Sequence, residues 1–406
     1  MKTKFRVLFT EFWLQLVILV GVVVVLSVLL LAHLGTQPAA LSASEVAART
    51  ASRSLHTIWS HPINAPFTIL QHFAIHFRPV SIRASRLVAA LYGGIALILL
   101  FIVLRFWHGN FAAGAGTAMC ATSAWFLGTA RLGTPNVLLL SILALMTGGL
   151  WMKHTLHRNF VLLVGVIIVG AVLYVPGIVW FILAALIWQR QTIFHELKHI
   201  TIVLKSMAGA LLVVLLIPLG WAIFKQPSLG REILGLPAAW PGLMGLVRNL
   251  YHIPLTLFAW APANPTHWLG HLPLLDVFED AMFVFGLYSF WVGRKLGRSK
   301  YLLGTVIVGI ILIVIGGAVT ITILLPAVYI TIAVGVLYIW ELWLSVFPHN
   351  PVARSVGMTI VILAVIVSCN YQLRRYFIAW PYAPATQAVF THKPVNFDTI
   401  TTLHKE

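Results

Sequence analysis

Glu45 is the one acidic residue in the long segment between the apolar stretches Phe12 to Ala32 and Leu87 to Leu104. A lone carboxylate in such a segment is the residue type that takes a proton from an acceptor hydroxyl during group transfer. The same residue also has a structural reading. Ser42 stands three positions earlier, as in a capping box, and Arg49 stands four positions later, as in a helical ion pair. Arg86, Arg131 and Arg248 are cations whose planar forks suit a phosphate, with interfacial snorkelling as the other reading. Asp276, Glu279 and Asp280 crowd the start of one apolar stretch, where acids complement a helix dipole or contact a substrate or ion. His195-Glu196-Leu-Lys-His199 matches the H-E-x-x-H pattern, in which two histidines on one helical face hold zinc and the glutamate activates water. Against zinc stand the cation Lys198 within the motif and the lack of a clear third ligand nearby.

The elements that must position these residues are membrane helices. Of 406 residues 60% are hydrophobic and 9% charged, so apolar runs of spanning length recur too often for a water-soluble core. The excess of 27 Lys and Arg over 10 Asp and Glu is spread between apolar runs, which excludes a nucleic-acid surface and fits membrane topology with a phosphate-bearing lipid partner. Two cysteines, Cys120 and Cys369, fall inside apolar runs and suggest no disulfide framework.

The reading is an all-α, polytopic bundle of about eleven membrane helices. An uncleaved first span, Phe12 to Ala32, follows the basic start Met1 to Arg6. Further spans are expected at Leu87–Leu104, Phe111–Ala130, Val137–Met152, Met207–Phe224, Val277–Val292 and Val356–Ser368. The long tracts Phe160 to Trp188 and Tyr301 to Val346 each fold back, near Pro176-Gly177 and Gly316-Gly317. Basic density then puts the N-terminus in the cytoplasm and two long loops, residues 34–86 and 225–273, outside the plasma membrane. Residues 1–370 form one integral domain, and 371–406 an extracytoplasmic tail. No internal repeat suggests paired transporter halves.

In the first outer loop Ala47, Ala51, Leu55, Ile58 and Trp59 share a helical face, which predicts a surface helix with Glu45, Arg49, Arg53 and His56 turned to water. His61-Pro-Ile-Asn64-Ala-Pro66 breaks it, and a second amphipathic stretch follows through Phe67, Leu70, Phe73, Ala74 and Phe77. The second loop, rich in Pro, Gly and Trp, holds Arg248, His252, His267 and His271. Its Tyr251, Trp260 and Trp268 either stack on sugar faces or form an interfacial aromatic belt.

Ser44 to Trp151 resembles the first third of the C-type membrane glycosyltransferases, the superfamily of protein O-mannosyltransferases and the aminoarabinose transferase of lipid A. The resemblance is carried by Ser44-Glu45, by His61-Pro-Ile-Asn-Ala-Pro66, by Arg86-Leu-Val-Ala-Ala-Leu-Tyr-Gly93, and by Ala130-Arg131-Leu-Gly-Thr-Pro-Asn136. It implies transfer of a sugar from a polyprenyl-phosphate carrier to an extracytoplasmic lipid, glycan or protein. Glu45 would be the base, Arg86, Arg131 and Arg248 would hold phosphate, and His61, Asn64, Asn136, His252 and Asp276 would contact substrate. Family members often carry paired acids in the first loop and an Asp in the turn after the third span, where this chain has Ser44 and Asn136. A divalent metal ion or an inactive site is therefore an open alternative. So are a zinc metalloprotease built on residues 195–199 and a noncatalytic lipid or sugar transporter using Asp276 and Glu279.

Overall fold

A computed structural model describes residues 20–154, 158–188, 190–198 and 200–394. The basic start, the first part of the expected first span and the end of the expected tail lie outside the described residues, as does His199. Among the described residues the chain is helical, and the extended backbone contributes one isolated bridge, between Leu41 and His392.

The first span is described from Val20, as helix α1 (Val20–Leu31). The outer loop then forms three short helices, α2 (Ala43–Ala51), α3 (Leu55–Ser60) and α4 (Ala65–Phe77). Next comes α5 (Ile82–Thr122), 41 residues broken at Gly109, whose φ of 86° no helix accommodates. This break falls between the two spans expected there. Ser123 caps α6 (Ala124–Ala130), and the chain turns by 114° through Arg131 to Thr134 into a 3-10 segment, Pro135–Ser141, and α7 (Ile142–His154).

The first long tract divides into α8 (Arg158–Val172) and α9 (Ile178–Trp188) around Gly177. The second divides into α15 (Gly297–Ile315) and α16 (Leu325–Val346) after Gly316. Both glycines have positive φ, 78° and 73°, a backbone region that residues with a Cβ seldom enter, so the breaks fall where glycine was placed. Between these tracts come α10 (Arg190–Lys198), α11 (Ile202–Lys225), α12 (Pro227–Ile233), α13 (Gly242–Phe258) and α14 (Val277–Val292). After α16 follows α17 (Pro351–Arg374).

Among the described residues five helices are long and apolar enough to cross a membrane, or six if the bent pair around Arg131 is one span. The core lies where α5, α14 and α16 meet. Tyr329, Ile330, Ile332, Ala333 and Val336 of α16 are 0% exposed. Gly286 and Gly335 bring α14 and α16 into backbone contact, because a Cβ at either would overlap a carbonyl of the facing helix. Small residues are what permit such contact where lipid leaves no hydrophobic drive between helices. Outward faces carry Ile98, Val213 and Val367, all more than half exposed, as lipid requires.

The stretch beyond Tyr371, expected as a tail, continues as helix. It passes through a π-helical turn at Arg375–Ala379 and returns to the first outer loop. Leu41 and His392 exchange both backbone hydrogen bonds, at 2.8 and 3.1 Å, and Phe390 lies buried beneath the Arg86 guanidinium.

Candidate functional site

Three of the four sequence features that carry the resemblance, those of Glu45, Arg86 and Arg131–Asn136, meet at one place. Ser42 accepts the Glu45 amide while the Glu45 carboxylate accepts the Ser42 amide at 3.0 Å, so the expected capping box is present. The carboxylate also accepts from Arg86, with Nε to Oε1 at 2.7 Å and Nη2 to Oε2 at 3.1 Å, and from the Gly133 amide at 3.0 Å. Oε1 thus accepts two hydrogen bonds and Oε2 three, the third from the Ser42 hydroxyl at 3.4 Å. Arg86 donates its remaining hydrogens to the carbonyls of Leu34, Pro38 and Ala40, at 3.1, 2.9 and 2.8 Å. All five guanidinium donors have partners. Glu45 is 0% and Arg86 1% exposed.

This corrects the expected orientation of the first surface helix. Glu45 and Arg49 face inward, Arg49 reaching Ser85 at 2.7 Å and the Pro79 carbonyl, while Ala47, Ala51, Leu55 and Trp59 are exposed. The helix also ends at Ala51, with a new cap at Ser54, so one expected helix is two. The physical reason is the partner. A carboxylate that meets an arginine, two backbone amides and a serine hydroxyl inside the protein loses the incentive to face water. Gln71 of α4 extends the network. It accepts from Ser52 at 2.7 Å and donates to the carbonyls of Ser85 and Gly133, at 3.0 and 3.2 Å. Sequence reasoning missed Gln71, which its neighbours Thr68, His72 and His76 do not set apart as a polar residue. The α4 helix forms where expected, but its expected apolar face is split: Leu70, Phe73 and Phe77 are exposed while Phe67 is fully buried in the core.

Arg131 is likewise turned inward, 2% exposed. It caps the end of α6, donates to the carbonyls of Leu29 and Ala32 at the end of the first span, and lies over the rings of Tyr376 and Phe377. Arg86 and Arg131 thus hold loop, first span and C-terminal turn together, and neither presents its fork to an outer ligand.

The other expected residues lie elsewhere. His61 is exposed at the end of α3, and Asn64, with φ of 57°, starts α4, its amide donating to the Tyr174 carbonyl at 2.8 Å. Asn136 is half-buried in the 3-10 segment. Arg248 is exposed on α13 and His252, one turn on, is half-buried. Tyr251 and Trp260 are exposed, Trp260 stacking on His271 at 4.5 Å, and Trp268 donates to the Pro262 carbonyl. His267 packs against Gly128 of α6, and burial holds its imidazole below the ordinary pKa.

Asp276 and Glu279 form a second capping box. Asp276 accepts from Ser368 at 2.7 Å. Glu279, 0% exposed, accepts from Tyr329 at 2.9 Å and from Gln372 at 2.7 Å. Among the described residues neither acid has a cation at ion-pair distance. Sequence reasoning placed both acids at a helix start but not their partners. In the H-E-x-x-H segment His195 is exposed on α10, and among the described residues no three His, Cys, Asp or Glu side chains group as metal ligands.

No protein-family model and no curated protein sequence matches the chain. Among solved structures it superposes on ArnT of Cupriavidus metallidurans. In the apo state of that protein the TM-score is 0.56 at 12% identity, over 94% of this chain and 78% of the other. The chain has the fold of ArnT. For ArnT bound to undecaprenyl phosphate the TM-score is 0.52, again at 12% identity, over 93% and 77% of the two chains. At this identity the likeness is one of fold. The likeness to ArnT extends over nearly the entire chain.

Proposed function

We propose that this protein is a multi-pass plasma-membrane glycosyltransferase that moves a sugar from a polyprenyl-phosphate carrier to an extracytoplasmic acceptor. The observation that carries the reading is the ArnT-like fold across 94% of the chain, with undecaprenyl phosphate as the lipid bound by that neighbour. About eleven spans with both long loops outside is the topology that goes with it. In the transfer an acceptor oxygen attacks the anomeric carbon, the carbon–oxygen bond to phosphate breaks, the phosphate leaves with the electron pair, and the acceptor proton passes to a base.

The frame around Glu45 limits which groups serve. Glu45 and Arg86 act as positioning residues that hold the first loop on the bundle. Groups left available at the outer face are His61, Asn64 and Asn136 on the first-loop side and Arg248 and His252 on the second-loop side, with the loop aromatics beside them. The acids common in the family are Ser44 and Asn136 here. This favours a second reading, in which the chain binds the lipid-linked sugar without transferring it.

The test uses the purified full chain in nanodiscs with a radiolabelled polyprenyl-phosphate sugar and an envelope extract as acceptor. Transfer predicts protein-dependent release of free polyprenyl phosphate and label in the acceptor. Retention of intact donor on the protein with no release would overturn transfer and leave binding. Absence of any donor binding would overturn both.

A further inference from the structure

The end of the bundle opposite Glu45 carries a dense run of cations. Between Arg86 and Trp107, α5 runs without a break for about 31 Å, at 1.5 Å per residue, which is the depth of a bilayer core. There the first half of α5 ends against the turn from α14 to α15. Arg298 donates to the Trp107 carbonyl, the Trp107 ring meets that of Tyr301 edge-on at 6.3 Å, and His108 meets Phe290 at 5.9 Å. Around this junction Arg105, Arg294, Lys295 and Lys300 are exposed, and Arg298 is half-buried. Residues 101–112 and 286–304 contain no Asp or Glu. Glu341, exposed on α16 next to the Trp340 that packs on Phe111, is the one acid that α5, α14, α15 and α16 bring to this end among the described residues.

A shallow cleft opens from this patch between α7, α9 and α15. At its mouth Trp188 lies on Gly304, where a Cβ would come within 2.7 Å of the indole ring. Lys300 stands one turn before Gly304 on the same helical face, and Arg190, also exposed, follows Trp188 by two residues. Two cations therefore flank the mouth. Going back along α9 from Trp188 to Phe181, about 10 Å, the walls become Ile142, Leu145, Phe181, Ala184 and Ala185. The polar groups in the lining are the Tyr301 hydroxyl, the Trp188 indole and Thr305, whose hydroxyl donates to the Tyr301 carbonyl at 3.0 Å. The cleft encloses about 20 Å³, so it takes the side of one methylene chain and not a sugar ring.

We infer that patch and cleft together bind an anionic phospholipid of the leaflet facing away from Glu45, with its phosphate between Lys300 and Arg190 and the start of one acyl chain along the cleft. By basic density this is the cytoplasmic leaflet. Two observations favour a lipid over a soluble anion. The cleft leads from the cations directly into apolar depth. Beside the cations, Trp291 is 67%, Val292 68% and Leu296 49% exposed, and Arg294 lies over the Trp291 ring at 4.9 Å, an arrangement that suits the boundary between headgroups and acyl chains. Basic residues at a membrane surface attract anionic lipid in general, and a cleft between helices gives that attraction one address. The site is independent of the transfer reading, because none of its residues lies at the outer face.

Native mass spectrometry of the purified full chain compares the binding of dioleoyl phosphatidylglycerol with that of dioleoyl phosphatidylcholine, and thermal unfolding checks that each variant is folded. The unsubstituted chain should prefer phosphatidylglycerol, and that lipid should raise its unfolding temperature. Lys300→Gln or Arg190→Gln should weaken phosphatidylglycerol about fivefold, and the two together about thirtyfold, with phosphatidylcholine unchanged. Arg354→Gln, which removes an exposed cation of α17 at the same end, should change neither lipid. Ala184→Leu, which fills the cleft, should weaken both. Equal binding of the two lipids by the unsubstituted chain would overturn the site. So would an Arg354→Gln protein as impaired as Lys300→Gln, since the attraction would then be one of diffuse charge. Displacement of phosphatidylglycerol by millimolar inorganic phosphate would give the cations to a soluble anion and overturn the lipid. A folded Ala184→Leu protein that binds phosphatidylglycerol as the unsubstituted chain does would refute the acyl seat in the cleft.

Discussion

The starts of α2 and α14 carry the same device, a capping box with glutamate at the third helical position, and both Glu45 and Glu279 are 0% exposed. Their compensation differs. Glu45 meets a guanidinium from 41 residues away, whereas Glu279 is held by neutral donors, the Tyr329 hydroxyl and the Gln372 amide. The first device fastens an outer loop that has little apolar surface of its own to bury. The second sits among helices already joined by close packing of α14 on α16, and needs only to have its polar atoms satisfied. A charge pair is used where packing is thin, and neutral hydrogen bonds where packing is dense.

Breaking the first region should cost most. Glu45→Gln leaves Arg86 buried without its counter-charge, and unfolding in detergent should report a loss of about 3–5 kcal/mol. The double substitution Glu45→Gln with Arg86→Met should recover most of that loss. A stable Glu45→Gln protein that has lost only transfer would instead make Glu45 the base, and the contrast drawn above would be wrong. Gly93→Val comes next. A Cβ at position 93 lies 2.5 Å from the Ala130 Cβ, so α5 and α6 must separate, pulling Arg86 away from Gly133, at about 1–3 kcal/mol. The smallest effect is expected at the second region. Glu279→Gln keeps the shape and most of the hydrogen bonds, and should cost about 1 kcal/mol by the same unfolding measurement. A loss as large as that of Glu45→Gln would erase the distinction.

Much of the fold was legible in the amino-acid order because lipid enforces it locally. Apolar length marks a span, and Gly177 and Gly316 mark breaks because each adopts positive φ. The capping box at Ser42–Glu45 was legible for the same reason, since its partners lie three residues apart. The direction in which α2 faces was not. Its pattern of charges looked like a wetted face, and only the arrival of Arg86, Ser85 and Gly133 from distant parts of the chain turns that face inward. The same holds for Gln71, and for Ser368 and Gln372, whose roles depend on an acid some 90 residues earlier. Polar residues become interpretable from spacing when their partners are neighbours, and from the folded molecule when they are not.

The hydrogen bond from Gly133 to Glu45 spans 88 positions in the chain. During synthesis Glu45 emerges first, then Arg86, and Gly133 follows only after the whole of α5 and α6. Further anchors come later still, from Tyr174 to Asn64 and from His392 to Leu41. The segment Ala43–Phe77 is thus fastened by partners spread over most of the chain, so its final placement waits on residues made long after it.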